Sequence, residues 1–372
     1  MRILHVAGGL NRGGAETWLV QMLDHIDREK YQMDFLVHST EPGAYDEKVR
    51  TLGSRVFTCL KPSNPLLYAL NFRRILRRYG PYDCVHSHIH HYGGYVLMLA
   101  ASMGVQVRIA HSHIDTSIPD RGSSALRRTY LSGMELLIRH FATRQIAVSE
   151  CAARSLFSES WTSDLRCSIS PLGFNLLPFG QVHDSQQIRS ELGIPQEAFV
   201  VGHVGRFVEQ KNHRFLLEVA EQFCRLDRKA IFLLVGDGPL RPEIENLVCS
   251  RGLKERFVFT GVRNDVPRIM KGAMDCFLFP SVYEGLGLVL WEAQAAGLHC
   301  IVSDRVPKEA DLNEAAVTRL SLATAPGVWA RHLTVARSNS RNSSISDSWL
   351  STRSIEASVG RIESLYSEVA IR

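Results

Sequence analysis

The sequence lacks most of the patterns that announce a disulfide, a metal or a membrane. Its eight cysteines (Cys59, Cys84, Cys151, Cys167, Cys224, Cys249, Cys276 and Cys300) are scattered, and no two form a C-x-x-C pair. A reduced, cytosolic chain is the expectation. No H-E-x-x-H and no Asp-x-Asp occurs, so no metal requirement is expected. The longest apolar run, near 95–105, is too short to cross a bilayer. The first strand is expected to begin at Ile3, straight after Met1 and Arg2. That leaves no room for the charged and apolar regions of a signal peptide. The net charge of +5 and pI of about 8.8 are too mild a bias for nucleic acid.

What is present is an ordinary globular composition, 45% hydrophobic and 22% charged, over 372 residues, a length that favours two domains. Short apolar runs at 3–7, 33–38, 84–88, 107–111 and 145–149 read as strands. Helical patterns lie between them, at 16–27, 46–52, 66–79, 95–103 and 123–141. The theme repeats, with strands at 199–204, 230–235, 257–260, 276–279 and 300–303. Strand–helix alternation of this kind implies an α/β chain with doubly wound parallel sheets. The aperiodic segment 178–185, with Pro and Gly, is the candidate linker between domains 1–178 and 179–354. Residues 338–354, rich in Ser, Asn and Arg, read as a mobile loop. A helical stripe follows at Ile355, Val359, Ile362, Leu365 and Val369.

The most informative stretch is 280–297, Pro-Ser-Val-Tyr-Glu-Gly-Leu-Gly-Leu-Val-Leu-Trp-Glu-Ala-Gln-Ala-Ala-Gly. Glu284 sits in a loop with Gly285, Leu286 and Gly287, and Glu292 lies in the helix that opens near Leu288. A glycine-rich turn feeding a helix presents bare N–H groups and the positive dipole end to an anion. Carboxylates beside it accept hydrogen bonds from hydroxyls. An anion and hydroxyls on one ligand suggest a sugar phosphate or nucleotide sugar.

Other strand ends carry similar signals. The loop 202–211 places Gly205, Arg206 and Lys211 past a strand's carboxyl end, where two cations suit a diphosphate. Residues 8–16 hold Gly13 and Gly14 at a helix start but fit neither a dinucleotide fingerprint nor a P-loop. His111 and His113 follow another strand, and the register does not decide which of them reaches a ligand. His86, His88, His90 and His91 tempt a metal reading. Alternate imidazoles along a single strand, however, sit about 7 Å apart and fit one ion poorly. On the helix 66–79, Arg73, Arg74, Arg77 and Arg78 share one face, either a solvated surface or one drawn to anionic lipid.

Taken in order, Arg-Gly-Gly-Ala-Glu at 12–16, the histidine strand end, Gly205-Arg206 with Lys211, Gly-Asp-Gly-Pro at 236–239, Gly261 to Val266 and Glu284-x7-Glu292 resemble the retaining glycosyltransferases of family 4. The resemblance covers almost the whole chain and implies the GT-B fold, two Rossmann-like domains facing a cleft, with helix 355–372 crossing back to the first. It implies transfer of a sugar from a UDP- or GDP-linked donor to a hydroxyl acceptor with retention, without metal. The work would be exopolysaccharide, capsule or O-antigen assembly at the inner face of a membrane, on a lipid-linked saccharide. In that scheme Arg206, Lys211 and the 285–288 helix start hold the diphosphate. Glu292 holds ribose hydroxyls and Glu284 sugar hydroxyls. His111 or His113 meets the sugar or acceptor. Gly13, Gly14, Gly205 and Arg263 line the donor. A nucleotide-sugar 2-epimerase, or a non-catalytic subunit of the same fold, remains the alternative.

Overall fold

The structure, a computed structural model, describes residues 1–59, 63–338 and 351–370. Met1–Phe174 with Thr352–Arg372 form one compact unit, and Asn175–Ser351 a second. The first holds a parallel sheet of β1 (Arg2–Ala7), β2 (Gln32–Val37), β3 (Val56–Thr58), β4 (Cys84–Ser87), β5 (Val107–Ser112), β6 (Arg144–Ala147) and β7 (Cys167–Ile169), in the order β3-β2-β1-β4-β5-β6-β7. The second holds β8 (Phe199–Val204), β9 (Ala230–Val235), β10 (Phe257–Gly261), β11 (Cys276–Phe279), β12 (His299–Ser303) and β13 (Val317–Leu320), again all parallel, in the order β10-β9-β8-β11-β12-β13.

These are the doubly wound sheets that strand–helix alternation implies. Helices cover both faces, so the inner strands are apolar throughout rather than alternating. β9, Ala-Ile-Phe-Leu-Leu-Val, is buried at every residue. In each sheet the strand order reverses once, between β1 and β4 and between β8 and β11. Loops at the carboxyl ends part there, and ligands bind in the opening.

The strands that the sequence did not disclose, β3, β7 and β13, are all edge strands. They are three or four residues long and only part-buried, so they carry no continuous apolar run. The helix expected over 123–141 spans Ala125–Phe141, capped by the Ser124 side chain accepting from the Arg127 N–H, and a short helix, Ser117–Arg121, precedes it. The expected mobile loop falls mostly on 339–350, outside the described residues.

The segment read as an aperiodic linker contains a helical turn, Leu177–Gly180. Its Asp184 caps the helix Ser185–Glu191 by accepting from the Gln186 and Gln187 N–H groups. Lys271 donates to the Phe179 and Gln181 carbonyls and ties this segment to the second unit. The division therefore lies earlier than 178, after Phe174, whose N–H donates to the Arg353 carbonyl. The terminal helix Ile355–Ala370 packs on the helix Gly14–His25, with the buried Trp18 Nε1–H donating to Ser358 Oγ at 3.0 Å. Its buried stripe is Ile355, Val359, Ile362 and Tyr366. Tyr366 takes the place expected for Leu365 because the 3.6-residue period drifts by one position.

Candidate functional site

In the second unit the loops after β8 and β11 meet at the point where the strand order reverses. The Val282 N–H donates to the Gln210 carbonyl at 2.8 Å, and Asn212 Nδ2 to the Pro280 carbonyl at 3.2 Å. Lys211 Nζ donates to Glu284 Oε1 at 2.6 Å, and Gln210 Nε2 to Glu284 Oε2 at 3.3 Å. Glu284 is buried, and Lys211 lies against the face of the Phe279 ring. Two expected site residues are thus brought into direct contact. An ammonium carries three donors and a carboxylate several acceptor positions. The pair therefore has capacity for a ligand phosphate on one side and sugar hydroxyls on the other.

Gly287 stands at φ +81° and caps the helix Leu288–Ala295, a left-handed conformation that glycine adopts without a Cβ penalty. This turn directs Gly285, Leu286 and Leu288 along the helix start. The helix is fixed on its far side. Gln294 donates to the Ala310 carbonyl and accepts from the Leu312 and Asn313 N–H groups, while Trp291 Nε1–H donates to the Glu309 carbonyl. Glu292 lies about 200° around the helix from Gln294 and is half-buried. Packing around its carboxyl group pushes the pKa up from the ordinary 4.5 to about 7. A carboxylate held so close to neutral pH is characteristic of a binding or catalytic position.

Arg206 is exposed and joins no ion pair among the described residues. Its loop is shaped by the Gly-Asp-Gly-Pro turn. The Phe207 N–H donates to the Asp237 carbonyl, and Gly236 at φ +135° passes so near Gly205 that a Cβ would stand 2.1 Å from the Gly205 carbonyl oxygen. Arg263, expected near the donor, is held by both its Nε and Nη2 on the Asp265 carboxylate, at 2.8 and 2.9 Å.

In the first unit Gly13 is the extended N-cap of the helix Gly14–His25, and the Glu16 carboxylate folds back over it. His111 and His113 differ in environment. His111 is buried and its pKa is driven well down by burial, then by His113 and His86. His113 is half-buried, with burial and then His90 lowering its pKa to about 3. Of the two, His113 is the more accessible. A cavity of about 800 Å³ opens in this unit, bordered by Gly8, Glu16, His38, Pro65, His88 and Tyr130.

The model of the family described as Glycosyltransferase Family 4 matches residues 12–175, and that of Glycosyl transferases group 1 matches 184–339. The chain is 39% identical over 341 residues to the provisionally named glycosyltransferase EpsF of Bacillus subtilis (strain 168), covering 90% of this chain and 87% of that one. The chain belongs to the family 4 glycosyltransferases. It is also 30% identical to a UDP-Gal:alpha-D-GlcNAc-diphosphoundecaprenol alpha-1,3-galactosyltransferase of Escherichia coli, covering 82% of this chain and 79% of that one. Among solved structures, HepE of Anabaena in complex with UDP-glucose superposes with a TM-score of 0.81 at 20% identity, over 99% of this chain and 100% of that one. The fold is GT-B, and the protein is a glycosyltransferase similar to those of exopolysaccharide and capsule assembly.

Two features of this family 4 glycosyltransferase escaped the sequence reading. Gln210 fastens both Glu284 and the Tyr283 carbonyl, and nothing in its spacing marks it. His5 joins the histidines of β4 and β5 from β1, the neighbouring strand. The signal available was a histidine inside the otherwise apolar Ile-Leu-His-Val.

Proposed function

We propose that this protein is a retaining glycosyltransferase. In this reading it moves a sugar from a UDP- or GDP-linked donor to a hydroxyl of a lipid-linked saccharide. The observation that carries the proposal is the Lys211–Glu284 contact beside the Gly287-capped helix. It joins a cation, a carboxylate and a helix N-terminus at the switch point of one sheet. Arg206, Lys211 and the helix start stabilise the charge that grows as the diphosphate leaves. Glu292 accepts from the ribose hydroxyls, Glu284 from the sugar. The retaining course is attributed to attack assisted by the donor's own phosphate oxygen, since no second carboxylate is assigned to a double displacement. The E. coli relative is named for UDP-Gal as donor and a diphosphoundecaprenol-linked acceptor, and HepE binds UDP-glucose. Both lend the reading support. A panel of nucleotide sugars, scored for binding and slow donor hydrolysis, tests it. Release of free nucleotide with an epimerised sugar and no need for acceptor would overturn it in favour of a 2-epimerase.

The transfer should run without a metal. Two cations and a helix start already neutralise the diphosphate. Activity is expected to persist in EDTA, and loss on chelation restored by Mg²⁺ or Mn²⁺ would contradict the assignment.

The proposed acceptor requires access to a membrane surface. Among the described residues no helix is long and apolar enough to cross a bilayer. The helix Pro65–Tyr79 buries Tyr68, Phe72 and Leu76 and exposes Leu66 (78%) and Leu70 (63%). At 100° per residue, both leucines fall on the arc of Arg73, Arg74, Arg77 and Arg78. Leucines inserted among arginines suit weak contact with anionic lipid, each charge contributing about 1 kcal/mol near the surface. The protein should float with anionic liposomes at low salt and detach at high salt, since screening shortens the reach of these charges. Changing the four arginines to glutamine should abolish flotation. A variant that floats as well as the wild type would reduce this face to a solvated surface.

A further inference from the structure

We propose that His88, His111 and His113 form a binding site for one divalent transition-metal ion of the zinc class, with His5 and His86 orienting the ligands from behind. The three side chains come from two neighbouring strand ends. His88 stands just past β4, His111 lies in β5 and His113 just past it. Each offers a ring nitrogen, and these atoms all lie within 4.8 Å of one another. Three nitrogens around one zinc, each at 2.0–2.1 Å, stand about 3.3 Å apart in a tetrahedron. His88 Nδ1 and His113 Nε2 are already 2.8 Å apart. The objection that imidazoles along one strand are too widely spaced does not apply, because the His111 and His113 rings converge to 4.0 Å between centroids and His88 joins them from the neighbouring strand.

The surroundings carry the argument further. His111 is almost wholly buried and its Nε2 has no hydrogen-bond partner among the described residues, which ordinarily costs free energy unless a ligand uses the atom. The other nitrogen of His111, Nδ1, meets His86 Nε2 at 3.2 Å, and His86 Nδ1 meets the Tyr366 hydroxyl at 2.8 Å. Likewise His88 Nε2 meets His5 Nδ1 at 3.0 Å. Ligating histidines ordinarily hand their second N–H to such a partner, which fixes tautomer and ring orientation. One assignment of neutral tautomers prepares the ligand nitrogens. His88 donates from Nε2 to His5, and His111 donates from Nδ1 to His86. Without the ion, His113 carries its proton on Nε2 and donates to His88 Nδ1. Metal entry breaks that hydrogen bond, and the proton moves to His113 Nδ1. The nitrogens His88 Nδ1, His111 Nε2 and His113 Nε2 are then bare.

Trp18 stands edge-on or tilted to all three rings and forms an apolar wall. His88 and His113 are half-buried, and His88 borders the 800 Å³ cavity, which gives an entry path and leaves a coordination position for water. His90 and His91 are not part of the site. They form a separate pair on the 3-10 turn His90–Tyr92, and His91 faces Asp120. All-imidazole ligation suits Zn²⁺, Ni²⁺ and Cu²⁺ rather than Mg²⁺ or Ca²⁺. The triad lies in the first unit and the residues assigned to the diphosphate in the second.

The test is titration of tag-free, metal-stripped full-length protein with Co²⁺, followed by its visible ligand-field absorption and then displacement by Zn²⁺. One equivalent is expected to bind, with a band of tetrahedral or five-coordinate intensity, and Zn²⁺ should raise the melting temperature. His113→Gln, at a half-buried position, should weaken binding more than 100-fold. His5→Gln, one shell out, should weaken it roughly 10- to 100-fold. His90→Gln should leave it unchanged. Circular dichroism verifies the fold of each variant. Absence of saturable binding by the wild type overturns the proposal, leaving a hydrogen-bonded imidazole network. So does binding that survives His88→Gln with His113→Gln at wild-type strength.

Discussion

Glu292→Ala is expected to weaken nucleotide-sugar binding roughly 10- to 150-fold, because hydrogen bonds to a charged acceptor are worth about 1.5–3 kcal/mol. The raised pKa adds a pH signature. A carboxyl group titrating near 7 is largely protonated at pH 6 and largely ionised at pH 8. Hydroxyl donors prefer the ionised form, so wild-type donor affinity should climb across that interval, and the climb should vanish in Glu292→Gln. Stability should move the opposite way. A carboxyl group whose folded pKa exceeds its unfolded value binds more protons when folded, so the folded state loses stability as pH rises from about 4.5 to above 7. The loss is at most ~3 kcal/mol, since solvent at the exposed edge screens part of the charge. Glu292→Gln should therefore melt higher than wild type at pH 8 and equally at pH 4. Isothermal titration and thermal melts at three pH values check both arms. Unchanged donor affinity in a folded Glu292→Ala protein would remove the residue from the site.

Much of this was legible because parallel sheets write themselves as apolar runs, and because Glu284-x7-Glu292 and the glycine loops are local patterns. The edge strands β3, β7 and β13 were not legible, since a strand with one neighbour and half its surface in water needs no apolar run. Nor was the partner of Lys211. Residues Lys211 and Glu284 are separated by three strands in sequence, and only the reversal of strand order between β8 and β11 brings their loops together. The histidines show the same limit. Counted at strand spacing they were too far apart for an ion, whereas in the fold the His111 and His113 rings converge to 4.0 Å between centroids and the parallel pairing of β1, β4 and β5 brings the other histidines beside them, with His5 opposite His86. Patterns within an element survive in one dimension, and contacts between elements do not.

That cross-strand contact separates the two cations experimentally. Arg206→Ala and Lys211→Ala should each lower kcat by about 10²–10³, with smaller changes in donor affinity, because the charge they meet grows as the diphosphate departs. Acting on one group, they should be less than multiplicative when combined. Their effects on folding should differ. Arg206 is exposed and joins no ion pair among the described residues, so its removal should leave the melting temperature near wild type. Lys211 is held against the buried Glu284 at 2.6 Å. Removing it leaves a buried carboxylate without its counter-charge, at a cost of about 3–5 kcal/mol. Lys211→Ala should therefore melt well below wild type, and adding Glu284→Gln should recover much of that loss without restoring turnover. Single-turnover kinetics beside thermal melts on the four variants read both quantities. An Arg206→Ala enzyme with wild-type turnover would exclude that side chain from the diphosphate. Full stability in Lys211→Ala would mean that Glu284 is held by Gln210 and its other neighbours rather than by the ammonium.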